Sequence, residues 1–214
     1  MRKAPVIALV VTFSLACVAQ TGSVESVGPP PDSLAAAVSQ ILEAHGNRLK
    51  LADGGAICDI WLRKSVPAHA KKTEGLLYPE LSESSLVGVI SFPQAATDFR
   101  GQPIAAGAYT LRYELMPDDG NHLGVAPDRD FLLLLPAGLD TDPNAVLKFD
   151  ELVQMSRKAT KSNHPGPMSL AQASGSATSL TKDAEDHWVF SSVLKLDSGK
   201  DLPFALIVKG TAAQ

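Results

Sequence analysis

Cysteine is nearly absent: 214 residues hold only Cys17 and Cys58. Cys17 falls in an N-terminal leader, so Cys58 is expected to stand alone in the folded part, with no disulfide to support it. The fold must then rest on its hydrophobic core. Basic runs are missing too, the longest being the pairs Lys71-Lys72 and Arg157-Lys158, against a formal net charge of −4. Nucleic-acid binding needs a positive footprint, so DNA and RNA are not expected partners. No apolar run in the mature chain reaches the ~20 residues that cross a bilayer as a helix. Signatures of cofactor enzymes are absent as well: there is no G-x-x-x-x-G-K-S/T, no G-x-G-x-x-G after a strand, no H-E-x-x-H and no cysteine pair spaced for zinc. The hydrolase elbow G-x-S-x-G is missing, and S-x-x-K at Ser179–Lys182 and Ser192–Lys195 lacks its companion motifs. No cofactor is indicated by motif, and no catalytic set is visible.

What is present begins with an address. Arg2 and Lys3 precede the uncharged apolar stretch Val6–Val18, and the small residues Cys17 and Ala19 occupy the minus-three and minus-one positions of a cut before Gln20. This pattern reads as a secretory signal peptide over residues 1–19, and the product is expected to be periplasmic or secreted. The alternative is a lipoprotein acylated at Cys17. Ser14-Leu15-Ala16-Cys17 has the small residue before cysteine but lacks the usual leucine three positions before it. Residues 20–32, with Gly22, Gly28 and the run Pro29-Pro30-Pro31, read as a flexible linker. Residues 33–214 have the size of a single domain. Loss of Arg2 and Lys3 leaves 17 basic against 23 acidic residues, net −6.

Along that domain, Asp32 or Ser33 can cap a helix in which Leu34, Val38, Ile41 and Leu42 make one apolar stripe ending near His45-Gly46. Two runs, 47–52 and 56–63, flank the turn Asp53-Gly54-Gly55 as a hairpin. Its return strand points Cys58, Ile60 and Leu62 inward. Leu86–Phe92 reads as a strand, and Tyr109–Leu115 alternates strictly, which predicts Thr110, Arg112 and Glu114 on a wet face. Phe131–Leu135 is apolar throughout, the mark of a central strand. Asp142-Pro143 resembles a helix start, with Val146, Phe149 and Val153 as the stripe to about Ser156. Residues 158–186 lack periodicity and are expected to be mostly loop. Trp188–Leu196 and Leu202–Lys209 form a second hairpin around Asp197-Ser198-Gly199. Hairpins without strand-helix-strand alternation predict a mainly β protein, an antiparallel β-sandwich or partly closed barrel with one or two accessory helices; an α+β domain is the alternative.

The densest polar cluster is Asp118, Asp119, Asn121, His122, Asp128 and Asp130. Folded together, such residues could surround a hard cation, or His122 with carboxylates could hold a transition metal. The same residues are what an ordinary connection uses, because their side chains bond local backbone. His164, before Pro165, is biased to an extended backbone that could hold its ring toward a groove. Cys58 reads as an inert buried thiol.

The runs Ala106-Gly107-Ala108-Tyr109-Thr110-Leu111, Asp119-Gly120-Asn121-His122 through Asp130-Phe131-Leu132-Leu133, and Ser162-Asn163-His164-Pro165 resemble exported bacterial proteins of unknown function. The A-G-x-Y-x-L part is also similar to a strand of several secreted β-sandwich families. The likeness implies a fold and an address, and carries no activity or site. The expected function is a non-enzymatic module of the cell envelope, binding an envelope protein or small ligand through its loops. A metal-dependent or other hydrolytic enzyme using the 118–130 loop and His164 is the alternative.

Overall fold

The computed structural model describes residues 20–69, 75–117 and 128–211. The leader with Cys17 and the loop residues Asp118, Asp119, Asn121 and His122 lie outside them. The ten principal strands are β1 (Ser23–Val27), β2 (Gly46–Lys50), β3 (Ala56–Leu62), β4 (Leu86–Phe92), β7 (Gly107–Leu115), β8 (Asp130–Pro136), β9 (Pro167–Ala171), β10 (Ser179–Lys182), β11 (Trp188–Lys195) and β12 (Asp201–Lys209). They form one antiparallel sheet in the order β1-β2-β3-β4-β7-β8-β9-β12-β11-β10. A separate two-stranded ribbon, β5 (Ala96–Thr97) and β6 (Pro103–Ile104), interrupts the β4–β7 connection.

The sheet curls until its edges meet. Thr21 bridges Thr181, Gly22 N donates to Leu180 O at 2.9 Å, and Lys182 N donates to Gln20 O at 2.9 Å. Gly22 permits the approach, since a Cβ there would sit 2.5 Å from both Lys50 O and the Leu180 side chain. The sheet is therefore nearly closed into a barrel, which removes most of its exposed edge. Residues 20–32 are accordingly not a free linker. Their first half supplies β1, whose Val24 packs partly against the barrel core while Lys50 pairs with Glu25 on the wet side.

Alternation fills the interior. Cys58, Ile60 and Leu62 of β3, Tyr109, Leu111 and Tyr113 of β7, Leu132 and Leu134 of β8, and Phe204, Leu206 and Val208 of β12 converge in one buried cluster. The hairpins β2–β3 and β11–β12 pair as the turn sequences predict, and β8 lies between β7 and β9 as a central strand. Tyr78, from the connection after β3, enters the same interior. Its hydroxyl accepts from Ala205 N at 2.7 Å and donates to Ala171 O at 2.6 Å, joining β9 to β12 where their ladder is short.

The outer face of β7 is the main departure from expectation. Thr110, Arg112 and Glu114 do point away from the interior, yet they are 0%, 0% and 3% exposed. The segment after β8 covers Thr110 and Arg112. Arg112 uses all five N–H donors: Nε and Nη2 clasp Asp140 at 2.7 Å each, Nη2 also reaches Asp142 O, and Nη1 reaches Ser84 O and Ala145 O. Thr110 Oγ1 adds a third donor to Asp140 at 2.7 Å. A buried charge pair survives when both ions are fully hydrogen-bonded, and this one is.

That network also relocates a helix. Asp142-Pro143 does not start one, because the carbonyls of Asp142 and Ala145 are held by Arg112. Helix α2 runs over Phe149–Thr160, with Glu151 accepting from Lys148 N at its start and Lys161 at φ 53° ending it. Val146 is 89% exposed and takes no part in the buried stripe, which is Leu152, Ser156 and Ala159. Helix α1 spans only Ala36–Ile41, shorter than expected, and Leu42 leaves it to bridge Arg63. Val38 and Leu42 still pack on Trp61, Leu86 and Val89, on the outer face of the sheet. The stretch 158–186, expected as loop, contributes the end of α2, β9 and β10.

Candidate binding groove

Helix α2 lies against the outer face of β8, its Leu152 packed with Phe131, Leu133 and Leu135. The cover is incomplete at the beginning of the strand. There a groove of about 270 Å³ opens between α2, the 99–100 turn, Met116-Pro117 and the start of β9. Its walls are mostly apolar, with Phe99, Met116, Phe131, Phe149, Val153 and Pro167 supplying most of the surface.

The walls are fixed by side-chain hydrogen bonds. Asp98, fully buried, accepts from Arg100 N at 3.0 Å, Gln102 N at 2.8 Å and Gln102 Nε2 at 2.7 Å. Gly101 at φ 79° makes the turn those bonds require. Burial pushes the Asp98 carboxyl above its ordinary value, opposed by those Gln102 and Arg100 donors. Gln102 Nε2 also donates to Pro165 O at 2.9 Å, and Ser162 Oγ donates to Gln102 Oε1 at 2.8 Å. Thr160 Oγ1 holds His164 O at 2.7 Å, and Gly166 N donates to Ser156 Oγ at 2.9 Å. The end of α2, the His164-Pro165 loop and the 98–102 turn are thus one assembly. The His187 ring meets Phe99 edge-on at 5.4 Å between centroids.

Charge in the groove is graded. Arg100, Arg157 and His164 are exposed lining residues on that assembly. Among the described residues neither guanidinium has a hydrogen bond or ion pair. Asp150 also lines the groove, seven residues before Arg157. Seven residues are about 10 Å along a helix axis, so the acid and the base face opposite ends, with Val153 between them. The basic end carries donors that no described residue accepts from, beside an apolar floor, in a protein whose net charge is negative.

The loop cluster fares differently. Asp118, Asp119, Asn121 and His122 are outside the described residues. Asp128 is half-buried, and its carboxyl is pushed up by burial and by Asp130. Asp130, expected as a candidate ligand, is fully buried at the first position of β8. It accepts from Leu77 N at 2.9 Å, Tyr78 N at 3.0 Å and the Tyr113 hydroxyl at 2.6 Å. Those bonds hold the segment after β3 against the barrel and leave Asp130 a structural role. Among the described residues no group of three His, Cys, Asp or Glu could hold a metal ion. His164 does reach the groove. Cys58 is buried in the barrel interior, and its thiol is pushed well up by desolvation and by Asp59. Trp61 is an anchor, donating to Gly28 O at 2.9 Å.

Sequence reasoning missed Arg100 and Phe99. They come from a connection with no periodicity, and nothing in the spacing ties them to Arg157 or His164. Comparison with known proteins finds no matching family model, no similar curated protein and no similar solved structure.

Proposed function

We propose that the chain is an exported, non-enzymatic binding module whose ligand is a small amphiphilic anion, an apolar chain or ring bearing a carboxylate. The groove beside α2 carries this reading: an apolar floor that ends in two arginines without a partner among the described residues, on walls held rigid by Asp98 and Gln102. Sites of this kind are largely preformed, with a few placed polar groups fixing orientation. The volume suits a ligand of modest size. Binding is favoured over hydrolysis because Ser169, the hydroxyl of the lining, is buried and donates to Leu170 O at 3.4 Å. No described carboxylate orients the His164 ring.

Export rests on the leader. A free product cut before Gln20 is favoured over a lipid tether by the placement of β1, because only residues 18 and 19 would separate Cys17 from the barrel edge at Gln20. Mass spectrometry of the mature N-terminus tests it: a chain beginning at Gln20 supports export as a free protein, and an acylated Cys17 refutes that part of the reading.

Octanoate is the direct probe of the groove, displacing a fluorescent apolar sulfonate from the purified mature protein. Octanoate should compete and octylammonium and octanol should do so at least tenfold less well, since a charge-assisted hydrogen bond contributes ~1.5–3 kcal/mol. Equal competition by all three would refute an anion site.

A further inference from the structure

A second, larger cleft of about 690 Å³ lies on the other side of Met116-Pro117, between the 76–83 segment, the end of β7 and residues 146–149. Leu76, Leu81, Leu115, Leu147 and Phe149 supply its apolar side. Glu114 also lines it, from the outer face of β7. Its residue is 3% exposed, and Oε1 accepts from Leu115 N at 2.9 Å. No described residue donates to Oε2. Among the described residues no fully enclosed side-chain oxygen lacks a partner, so Oε2 is the atom that opens on the cleft.

The surrounding charges decide what that oxygen can accept. Glu83 lines the same cleft, and its charge reaches Glu114. The basic groups of the lining, Arg129, His69 and Lys148, are engaged elsewhere or exposed. Arg129 donates through Nε and Nη2 to Met116 O at 3.2 and 3.1 Å. His69 shares its Nδ1 with Ser82 Oγ at 3.4 Å, and both His69 and Lys148 are exposed. A buried carboxyl with one open oxygen, a second carboxylate beside it and apolar walls fit an ammonium group carried on a hydrocarbon.

We propose that this cleft binds a primary alkylammonium, its N–H groups donating to Glu114 Oε2 and its chain lying along Leu81, Leu115 and Phe149. The site shares Met116, Pro117 and Phe149 with the α2 groove as a common wall and takes the opposite charge. Burial, with Glu83's charge added, pushes the Glu114 carboxyl up to about 7 against the pull of the Leu115 N–H. Ammonium binding selects the carboxylate, so below neutral pH each binding event releases a proton from Glu114.

Titration calorimetry of the full mature protein with hexylammonium, in buffers of differing ionisation enthalpy, tests this. Affinity should rise about tenfold between pH 6 and pH 8, following the ionised fraction of a group titrating near 7. Nearly one proton should be released at pH 6 and almost none at pH 8. Glu114→Gln, which keeps the acceptor for Leu115 N, should weaken binding at least tenfold and abolish proton release. Glu83→Gln should keep binding and move the profile to lower pH, and Arg157→Glu, in the other groove, should change neither. Hexylammonium binding that is absent, flat across pH 6 to 8, retained in Glu114→Gln, or unmoved in pH by Glu83→Gln would overturn the proposal.

Discussion

Replacing Glu114 by glutamine should make the protein more stable at neutral pH, and the size of the gain follows from the burial of one carboxyl. An ordinary glutamate titrates near 4.5, and in the folded protein this one is raised to about 7. The native state therefore holds the proton more tightly than the unfolded state. Its contribution is fully present below pH 4.5, is lost as pH rises through 7, and leaves the ionised form a net liability above that. A difference of about 2.5 units is worth about 3 kcal/mol, at 1.36 kcal/mol per unit. Glutamine has the same shape, keeps the Leu115 N–H satisfied and cannot ionise. Urea denaturation of both proteins between pH 4 and pH 8.5 isolates the effect, because every other titrating group is common to them. The two should be of similar stability near pH 4 and diverge by roughly 1.4 kcal/mol per pH unit between 4.5 and 7. The variant should then lead by about 3 kcal/mol at pH 8. Parallel curves would show that Glu114 is solvated when folded, and would remove the physical basis of the second cleft with it.

Two further outcomes follow from the core. Asp140→Ala leaves the Arg112 guanidinium buried without its counter-ion and should cost about 3–5 kcal/mol by urea denaturation, while a paired apolar replacement, Arg112→Met with Asp140→Leu, should recover much of that loss. A single variant as stable as the wild type would contradict the buried network. Cys58, buried in the barrel with its thiol pushed up by desolvation, should resist a thiol reagent in the native protein and react promptly in 6 M guanidinium chloride; rapid native labelling would place it elsewhere.

The barrel was largely legible in the sequence because its strands are long and alternate. Tyr109–Leu115 falls where its alternation puts it, Leu86–Phe92 and the closing hairpin fall where their apolar runs and turn residues put them, and the inward set Cys58, Ile60 and Leu62 is right to the residue. Alternation reports which side a residue faces and not whether that side is wet. Arg112 faces outward as predicted and is nonetheless buried, since its cover is the aperiodic stretch after β8, held by Arg112's own hydrogen bonds. The same bonds explain why a good local helix signal at Asp142-Pro143 fails. β9 and β10, five and four residues long, are too short to show a period, and β1 was hidden by the glycines and prolines around it. Of the site, His164 was visible through the proline that follows it. Arg100, Phe99 and Arg157 meet only because Gln102 ties two distant loops to the end of α2, and a contact made by one side chain leaves no spacing to read.

The central claim, an anion-binding groove beside α2, is tested most directly by titrating isotope-labelled protein with octanoate and following backbone amide shifts. The amides of Phe99, Arg100, Val153, Arg157 and His164 should move together and saturably, and Arg157→Glu should weaken the response at least tenfold while the rest of the spectrum is unchanged. Shifts confined to other faces of the barrel, or the same titration in Arg157→Glu, would contradict the account.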